Sequence, residues 1–449
     1  MSVGKYAVVI GAGMAGLAAA GALADWFEKV VIVERDSLPA GALPRAGTPQ
    51  AEHAHGLLVG GLQALEALFP GLSDDFARVG GVPLRVNQDL REEWPDRDPL
   101  PQRDFGLFGY LMSRPLIEFT VRQRVLQRSN IVVRQNCRAL NIAADDAGRR
   151  VTAVHCMTGS GQCGETLPAD IVVDASGRGH LTTNLLQAIG RPQPRDTKIG
   201  IDLGYTTAVM TTPNDAPSDW KMVLTRPNLP DSTRRAILLP MEGNRWMMSV
   251  AGQGADRPPA DWDALLVYLR QLATPTIYNA VRRLAPVGKL RRFALPESVR
   301  RDFAAVEAFP DGLIPIGDSI CRFNPVYGQG MTVAAKEARL LHKLLEERTS
   351  KTNPLAGLGQ TFLAEAQCLI ETPWMMSAIP DFASPATRGE RPVDLEQSLR
   401  SATALSRIAA RDPAVHRLMV EVWHMLKSHN AYHDPDLVRR VRAEMATAW

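Results

Sequence analysis

The sequence predicts an α/β fold: a Rossmann-type domain interleaved with an antiparallel β-sheet layer and followed by a helical C-terminal region. Three observations predict it. Residues 6–10 (YAVVI) form a strand-like run that feeds directly into Gly11-Ala-Gly-Met-Ala-Gly16 and an alanine-rich helix. A second junction of strand and glycine, residues 313–316 into Gly317-Asp318, lies towards the far end. Between them, residues 198–250 carry alternating segments such as 236–239 and 245–250, the period of strands in an antiparallel sheet.

Taken in order, 6–10 is continuously apolar and β-branched, as in a strand buried on both faces, and 17–26 reads as a helix. Residues 30–33 (VVIV) form a second buried strand that ends at Glu34 and Arg35 and completes a βαβ unit. Gly11 permits the tight turn, Gly13 lets a pyrophosphate approach the backbone, and Gly16 allows the helix to pack on the strand. The helix start, with Met14 and Ala15 in its first turn, offers N–H groups and a positive dipole end to phosphate. Glu34, about 20 residues on, supplies a carboxylate for ribose hydroxyls.

Pro39, Gly41, Pro44 and Gly47 mark a loop, after which 56–69 has helical periodicity. The polar stretch 83–105 reads as a surface excursion. Ser113 is placed as the N-cap of a helix with Arg114 and Pro115 in its first turn, running to about 128. Residues 131–133, 151–157 and 171–173 are strand-like. A second formal glycine match, Gly159-Ser-Gly-Gln-Cys-Gly164, opens no apolar helix and is assigned to a hairpin loop. Residues 330–347 form a long helix, and Pro373, Pro380, Pro385 and Pro392 are expected to interrupt the chain before helical patterns resume at Leu395.

Composition excludes several classes. With 51 Lys plus Arg against 48 Asp plus Glu, the net charge of +3 is too even for binding nucleic acid through its phosphates. Five cysteines, an odd number with no CxxC pair, suggest neither a disulfide framework nor a zinc site, and a reducing cytoplasm is the expected location. No run reaches the roughly 18 uninterrupted apolar residues of a membrane span, so no integral membrane segment is expected. HExxH and GxSxG are absent, so no metal or hydrolase site is expected.

Residues 317–332 (GDSICRFNPVYGQGMT) point to FAD rather than NAD. Asp318 is suited to ribityl hydroxyls, and the N–H groups of Gly328, Gln329, Gly330 and Met331, beyond Pro325, are suited to negative charge on a reduced flavin ring. With GAGMAG and Glu34 at the other end, the chain resembles FAD-dependent monooxygenases of the para-hydroxybenzoate hydroxylase fold. The second block looks closest to the flavin-dependent epoxidase branch. It is similar to squalene epoxidases in the GMT ending and to bacterial polyether epoxidases in FNPVYGQGM.

The resemblance implies further residues. Arg45 and Arg114 fit two arginines that face flavin, and residues 47–58 resemble a PQxxHxHxLL stretch that places Gln50, His53 and His55 beside the isoalloxazine. Either histidine would hydrogen-bond the flavin or an oxygen bound to it, or else cap the following helix; His55 is the one catalytic candidate. Where the aromatic hydroxylases carry a DG signature this chain reads Asp174-Ala-Ser-Gly-Arg178. Asp174 is still expected near the cofactor, but direct NADPH use is put in doubt. NADPH or NADH is the expected ultimate reductant, with a separate flavin reductase as partner if transfer is not direct. No WxWxIP signature of the halogenase branch is present.

The implied activity is insertion of one oxygen atom from O2, by way of a flavin hydroperoxide, into a hydrophobic alkene or aromatic small molecule in secondary metabolism. The alternative is an FAD-dependent reductase or dehydrogenase of the geranylgeranyl reductase type. FAD is expected on residues 1–82, 106–190 and 286–346, the substrate on 191–285 with the 83–105 excursion, and 347–449 forms the helical region. Arg292, Arg300 and Arg301 read as a solvated basic face or an anion clamp, and Trp246-Met-Met248 and Trp374-Met-Met376 as core or pocket lining.

Overall fold

The computed structural model describes residues 2–159, 163–177 and 179–446. Strand β1 (Gly4–Ile10), helix α1 (Met14–Ala24) and strand β2 (Phe27–Val33) form the first βαβ unit. Helix α1 is buried on nearly every side, which its alanines allow by letting neighbours approach closely. Helices α2 (Val59–Leu68) and α3 (Leu72–Arg78) follow, then strands β3 (Val82–Arg85), β4 (Leu90–Glu93) and β5 (Phe108–Leu111). Helix α4 (Arg114–Leu126) starts as its sequence predicts, with Ser113 Oγ accepting from Leu116 N–H at 3.3 Å.

Next come β6 (Ile131–Arg134), β7 (Cys137–Ala144), β8 (Val151–Thr158), β9 (Cys163–Pro168), β10 (Ile171–Asp174) and α5 (His180–Ala188). Strands β8 and β9 pair antiparallel, consistent with a hairpin, although its tip, 160–162, lies outside the described residues, as does Arg178. The chain continues through β11 (Arg195–Thr211), β12 (Met222–Thr225), β13 (Arg235–Met241), β14 (Arg245–Gln253), α6 (Trp262–Leu269), α7 (Thr276–Val281) and β15 (Arg291–Asp302). Strands β16 (Leu313–Pro315) and β17 (Cys321–Arg322) precede α8 (Gly330–Glu346), α9 (Leu358–Phe382), α10 (Leu395–Arg411), α11 (Pro413–Trp423) and α12 (Pro435–Ala446).

Five strands make a parallel sheet in the order β16-β10-β1-β2-β6. The chain leaves β1 first towards β2 and β6, and later returns on its other side at β10 and β16. The switch point therefore lies between β1 and β10, where the carboxyl ends of parallel strands open a crevice. A second sheet has the order β17-β15-β11-β14-β13-β12-β4 and is antiparallel except where β4 joins β12. One of its faces buries Met210, Leu238, Met248 and Val250 against Leu265, Leu269, Ile277 and Val281 of α6 and α7. The other faces the body built on the parallel sheet, where Leu203, Tyr205, Ala251 and Leu295 join the main core.

Three expectations change. The 83–105 stretch, grouped with the 191–285 layer but expected as a surface excursion, supplies β4 as the last strand of the second sheet, with Glu93 buried there and Thr274 and Thr276 donating to its carboxylate at 2.6 and 2.5 Å. Within 286–346, β15 pairs with β11 along almost its whole length and so lies in the second sheet rather than the first. Pro373 and Pro380 sit inside α9 without ending it, since Ile370, Trp374, Ala378 and Phe382 are buried in the main core. Each proline costs a helix interior about 3 kcal/mol, which burial of several large apolar side chains at roughly 1.5–3 kcal/mol each can outweigh.

Trp246, Met247, Met248 and Trp374 are core residues, not cavity lining. Arg292 is exposed, whereas Arg300 donates to Gln367 and Glu371 of α9 and Arg301 to the Ser319 carbonyl, so these two fasten elements together. Among the described residues no helix is long and apolar enough to cross a membrane.

Candidate cofactor site

A cavity of about 320 Å³ lies at the switch point. Its floor follows from the glycines. Gly11 has φ +102°, and a Cβ there would stand 2.7 Å from the Ala175 carbonyl on the neighbouring strand. A Cβ at Gly16 would stand 1.8 Å from Gly11 O, so the helix closes onto the turn only because Gly16 lacks a side chain. Above Gly13 the nearest atom a Cβ would meet is Arg45 Nη2 at 3.9 Å, and α1 begins there with no side-chain cap. Its first N–H groups are thus left for a ligand.

Beside this turn lies a buried ionic cluster. Glu34 Oε2 accepts from Ala12 N–H at 2.7 Å and Oε1 from Asp36 N–H at 2.9 Å, and Arg45 Nη1 is 3.2 Å from Oε2. Arg45 Nη1 also donates to Asp36 at 2.7 Å and its Nε to Glu118 Oε1 at 2.9 Å. Arg114, opening α4, donates from Nη2 to Glu118 Oε2 at 3.0 Å. Glu118 was not a sequence candidate: it reads as an ordinary helix-surface residue until α4 is turned towards the cavity.

The far wall is the start of α8. Gly317 and Gly328 both have left-handed backbones, at φ +64° and +70°, which set the turns on either side of Asp318 and Pro325. Burial raises the Asp318 carboxyl above its usual range. Gly317 N–H donates to Glu337 Oε2 at 2.7 Å, and Glu337, fully buried on α8, is pushed up to about 8 by burial against the pull of that bond. Helix α8 begins after Gln329 with no side-chain cap, and both amide atoms of the buried Gln329 side chain are without a partner.

The segment after Gly47 closes the cavity from above. Gln50, Ala54, His55 and Gly56 border it. His55 Nδ1 donates to the His53 carbonyl at 2.9 Å, so its one neutral-state proton sits on Nδ1 and Nε2 is an acceptor. Burial, with Arg114 nearby, holds its pKa down to about 3, which keeps it neutral and unable to donate from Nε2. His53 turns away: its Nδ1 lies 2.8 Å from Thr207 Oγ1 and its ring packs by Tyr205 and Phe293. Neither histidine caps α2, whose N-cap is Leu58 with no side-chain bond.

The cavity therefore gathers Gly11, Gly13, Met14, Ala15, Glu34, Arg35, Arg45, Gln50, His55 and Arg114 with Asp318, Pro325, Gly328, Gln329, Gly330 and Met331. Gly16, His53 and Asp174 do not border it. Asp174 is fully buried behind the wall, accepting from Ser176 N–H at 3.1 Å and from Thr182 Oγ1 at 2.7 Å, so it fastens the turn after β10. The neighbours Ala175, Ser176 and Gly177 line the cavity instead, as do Cys137, Arg138 and Ala139 at the start of β7. The former could have been inferred from the end of a central parallel strand; the latter carry no local signal.

Comparison with known proteins agrees with this geometry. The model of the family FAD dependent oxidoreductase matches residues 7–187, and that of squalene epoxidase matches residues 222–360. Protein Rv3254 of Mycobacterium tuberculosis (strain ATCC 25618 / H37Rv) is 32% identical over 410 residues, 86% of this chain and 83% of that protein. The chain belongs to one family with that protein and is an FAD-dependent oxidoreductase.

Solved structures similar to this oxidoreductase share its fold at low identity. A flavoprotein/dehydrogenase from Cytophaga hutchinsonii has a TM-score of 0.71 at 13% identity, covering 99% of this chain and 100% of that one. The flavin-dependent brominase Bmp2 has a TM-score of 0.69 at 11% identity, covering 99% and 100%. PqsL, a probable FAD-dependent monooxygenase from Pseudomonas aeruginosa, has a TM-score of 0.57 at 18% identity, covering 82% and 96%. The residues present fit FAD. Two uncapped helix starts face one cavity, Gly13 opens onto it with no atom nearer than 3.9 Å to a Cβ, and the unpartnered Gln329 amide suits a ring that offers both donors and acceptors.

Proposed function

We propose that the oxidoreductase is a monooxygenase that inserts one atom of O2 into a hydrophobic alkene or aromatic small molecule, by epoxidation or hydroxylation, in secondary metabolism. NADPH or NADH would be the ultimate reductant, through a separate flavin reductase if not directly. The observation that carries this reading is one continuous cavity running from the Gly11–Ala15 turn to the start of α8 and bordered by His55, whose neighbour His53 is held by Thr207 of the second sheet. The match of residues 222–360 to squalene epoxidase supports the oxygen-transfer reading over the reductase one.

When bound, FAD supplies two-electron redox chemistry and, once reduced, the reaction with O2. The chain's own groups bind and orient it. The α1 start takes the pyrophosphate, and Glu34 the adenosine ribose with whatever acceptor capacity its two existing bonds leave. Arg45 and Arg114 would border the phosphates and ring with part of their charge already taken by Glu34, Asp36 and Glu118, and the α8 start would favour negative charge on the ring. His55, neutral and protonated on Nδ1, offers an acceptor and acts by position rather than as an acid.

The test is to load the protein with FAD, reduce it without oxygen, mix it with oxygenated buffer and follow absorbance through time. A transient spectrum distinct from both oxidised and reduced flavin, with label from ¹⁸O₂ entering an alkene or aromatic product, is expected. Direct return to the oxidised spectrum, with no label transferred from any candidate substrate, would overturn the reading.

A further inference from the structure

The inner face of the second sheet carries polar side chains that the cofactor site does not use. Tyr205 pairs with Ala251, Ala251 pairs with Arg235, and Gln253 lies two residues beyond Ala251, so all three polar residues share one face around a small one. Further along that face, Thr207 and Ser249 are occupied: their hydroxyls are 2.6 Å apart, Thr207 meets His53 and Ser249 accepts from Ala54 N–H at 2.9 Å. The Tyr205 hydroxyl and both amide atoms of Gln253 are buried without a partner.

A third unpartnered group belongs to the same region. Asp381 of α9 accepts from Asn324 Nδ2 at 2.8 Å and Tyr327 Oη at 2.9 Å on Oδ1, while its Oδ2 is buried and has no partner. Both Arg235 and Asp381 act electrostatically on Tyr205. Asn324 and Tyr327 lie in the run from Phe323 to Gly328 whose ends border the cofactor cavity. Buried polar groups are bonded in the great majority of cases, so unpartnered atoms on three residues beside a redox site call for an occupant.

We propose that Tyr205, Gln253 and Asp381 form a subsite for the polar end of the substrate. The group it receives is neutral and both donates and accepts hydrogen bonds, as a hydroxyl or primary amide does, at the end of an otherwise apolar molecule. Gln253 and Tyr205 offer donors and acceptors and Asp381 Oδ2 an acceptor, while the attraction of Arg235 is already drawn on by Asp381, so a carboxylate would face like charge without a cation of its own. Leu203, Phe293 and Leu295 on the same face supply the apolar surroundings. This deepens the monooxygenase reading and rests on it for the word substrate alone.

The test measures binding, not turnover. Naphthalene, 2-naphthol and 2-naphthoate are titrated calorimetrically into the oxidised, FAD-loaded protein and into its Tyr205→Phe and Gln253→Leu variants. In the wild type 2-naphthol is expected to bind about tenfold or more tightly than either companion. Each variant should erase that preference, leave naphthalene unchanged, and melt higher than the wild type without ligand, because an unpartnered polar atom has been removed. Equal binding of naphthalene and 2-naphthol by the wild type, no binding of either, or a preference that survives both substitutions would overturn the proposal and leave ordered water as the occupant. If oxygen transfer fails while the preference stands, the monooxygenase reading falls and the subsite does not.

Discussion

Glu118 on α4 accepts from Arg45 Nε at 2.9 Å while its other oxygen holds Arg114, so one carboxylate fixes two of the arginines that border the cavity. Its neighbours are buried, and removing one partner of such a group leaves the others uncompensated at about 3–5 kcal/mol. Glu118→Ala is therefore expected to lower the melting temperature of the FAD-free protein and to weaken FAD retention. Fluorescence titration of FAD together with thermal melts reads both, and an unchanged affinity would show that the two arginines need no positioning.

The three glycines of the first turn should separate folding from binding. Gly16→Ala forces a Cβ to 1.8 Å from a carbonyl oxygen and should yield little folded protein. Gly13→Ala meets nothing nearer than 3.9 Å, at a backbone of φ −75° that alanine adopts freely, so the FAD-free protein should melt within about 1 kcal/mol of wild type. Its FAD affinity should nonetheless fall at least tenfold, because the new methyl stands where a phosphate must approach. Equal FAD affinity in Gly13→Ala would place the phosphates elsewhere.

Stability should pass through a maximum near pH 6.5. Burial holds His53 and His416 down to about 4, and His416 Nδ1 faces Arg103 at 2.8 Å. Below about 6.5 the unfolded chain takes up protons that these folded imidazoles refuse, so stability declines as pH falls towards 4. Glu337 behaves oppositely. Its folded carboxyl keeps a proton up to about 8 while the unfolded one releases it near 4.3, so stability declines as pH rises through that window and levels off above it. Glu337→Gln, which keeps an acceptor for Gly317 N–H, should flatten the melting-temperature profile between pH 6.5 and 8.5. A variant profile that tracks the wild type there would assign the alkaline slope to other groups.

Ser113 gives a smaller, local effect. Its hydroxyl accepts from Leu116 N–H at the start of α4, and Ser113→Ala should cost about 1 kcal/mol in denaturant unfolding. Because that end of α4 also presents Arg114, FAD affinity should fall with it; a stability loss with unaltered affinity would mean that Glu118 alone holds Arg114 in place.

Local signals were legible wherever the chemistry was itself local. Gly11, Gly13 and Gly16 announce a turn whose geometry depends on residues a few positions apart, and Ser113 announces a cap three residues away. Gly328 with Gln329 and Gly330 marks the start of α8 in the same manner. Signals failed where a partner lies far along the chain. Asp174 looks like a ligand for the cofactor but spends its oxygens on Ser176 and Thr182. His53 and His55 look interchangeable, yet the sheet claims one through Thr207 and the cavity the other. Pro373 and Pro380 look like breaks, and burial of α9 overrides them.

By itself the sequence determined the βαβ unit, the starts of α4 and α8, and the kind of ligand its glycines admit, because backbone sterics and periodicity act over a few residues. Tertiary structure alone decided that β15 joins the second sheet, that Glu118 links Arg45 to Arg114, and that Tyr205, Gln253 and Asp381 are buried with unpartnered atoms. Those relations depend on which buried polar groups find partners across long stretches of chain, and burial is a property of the packed whole rather than of any window of residues.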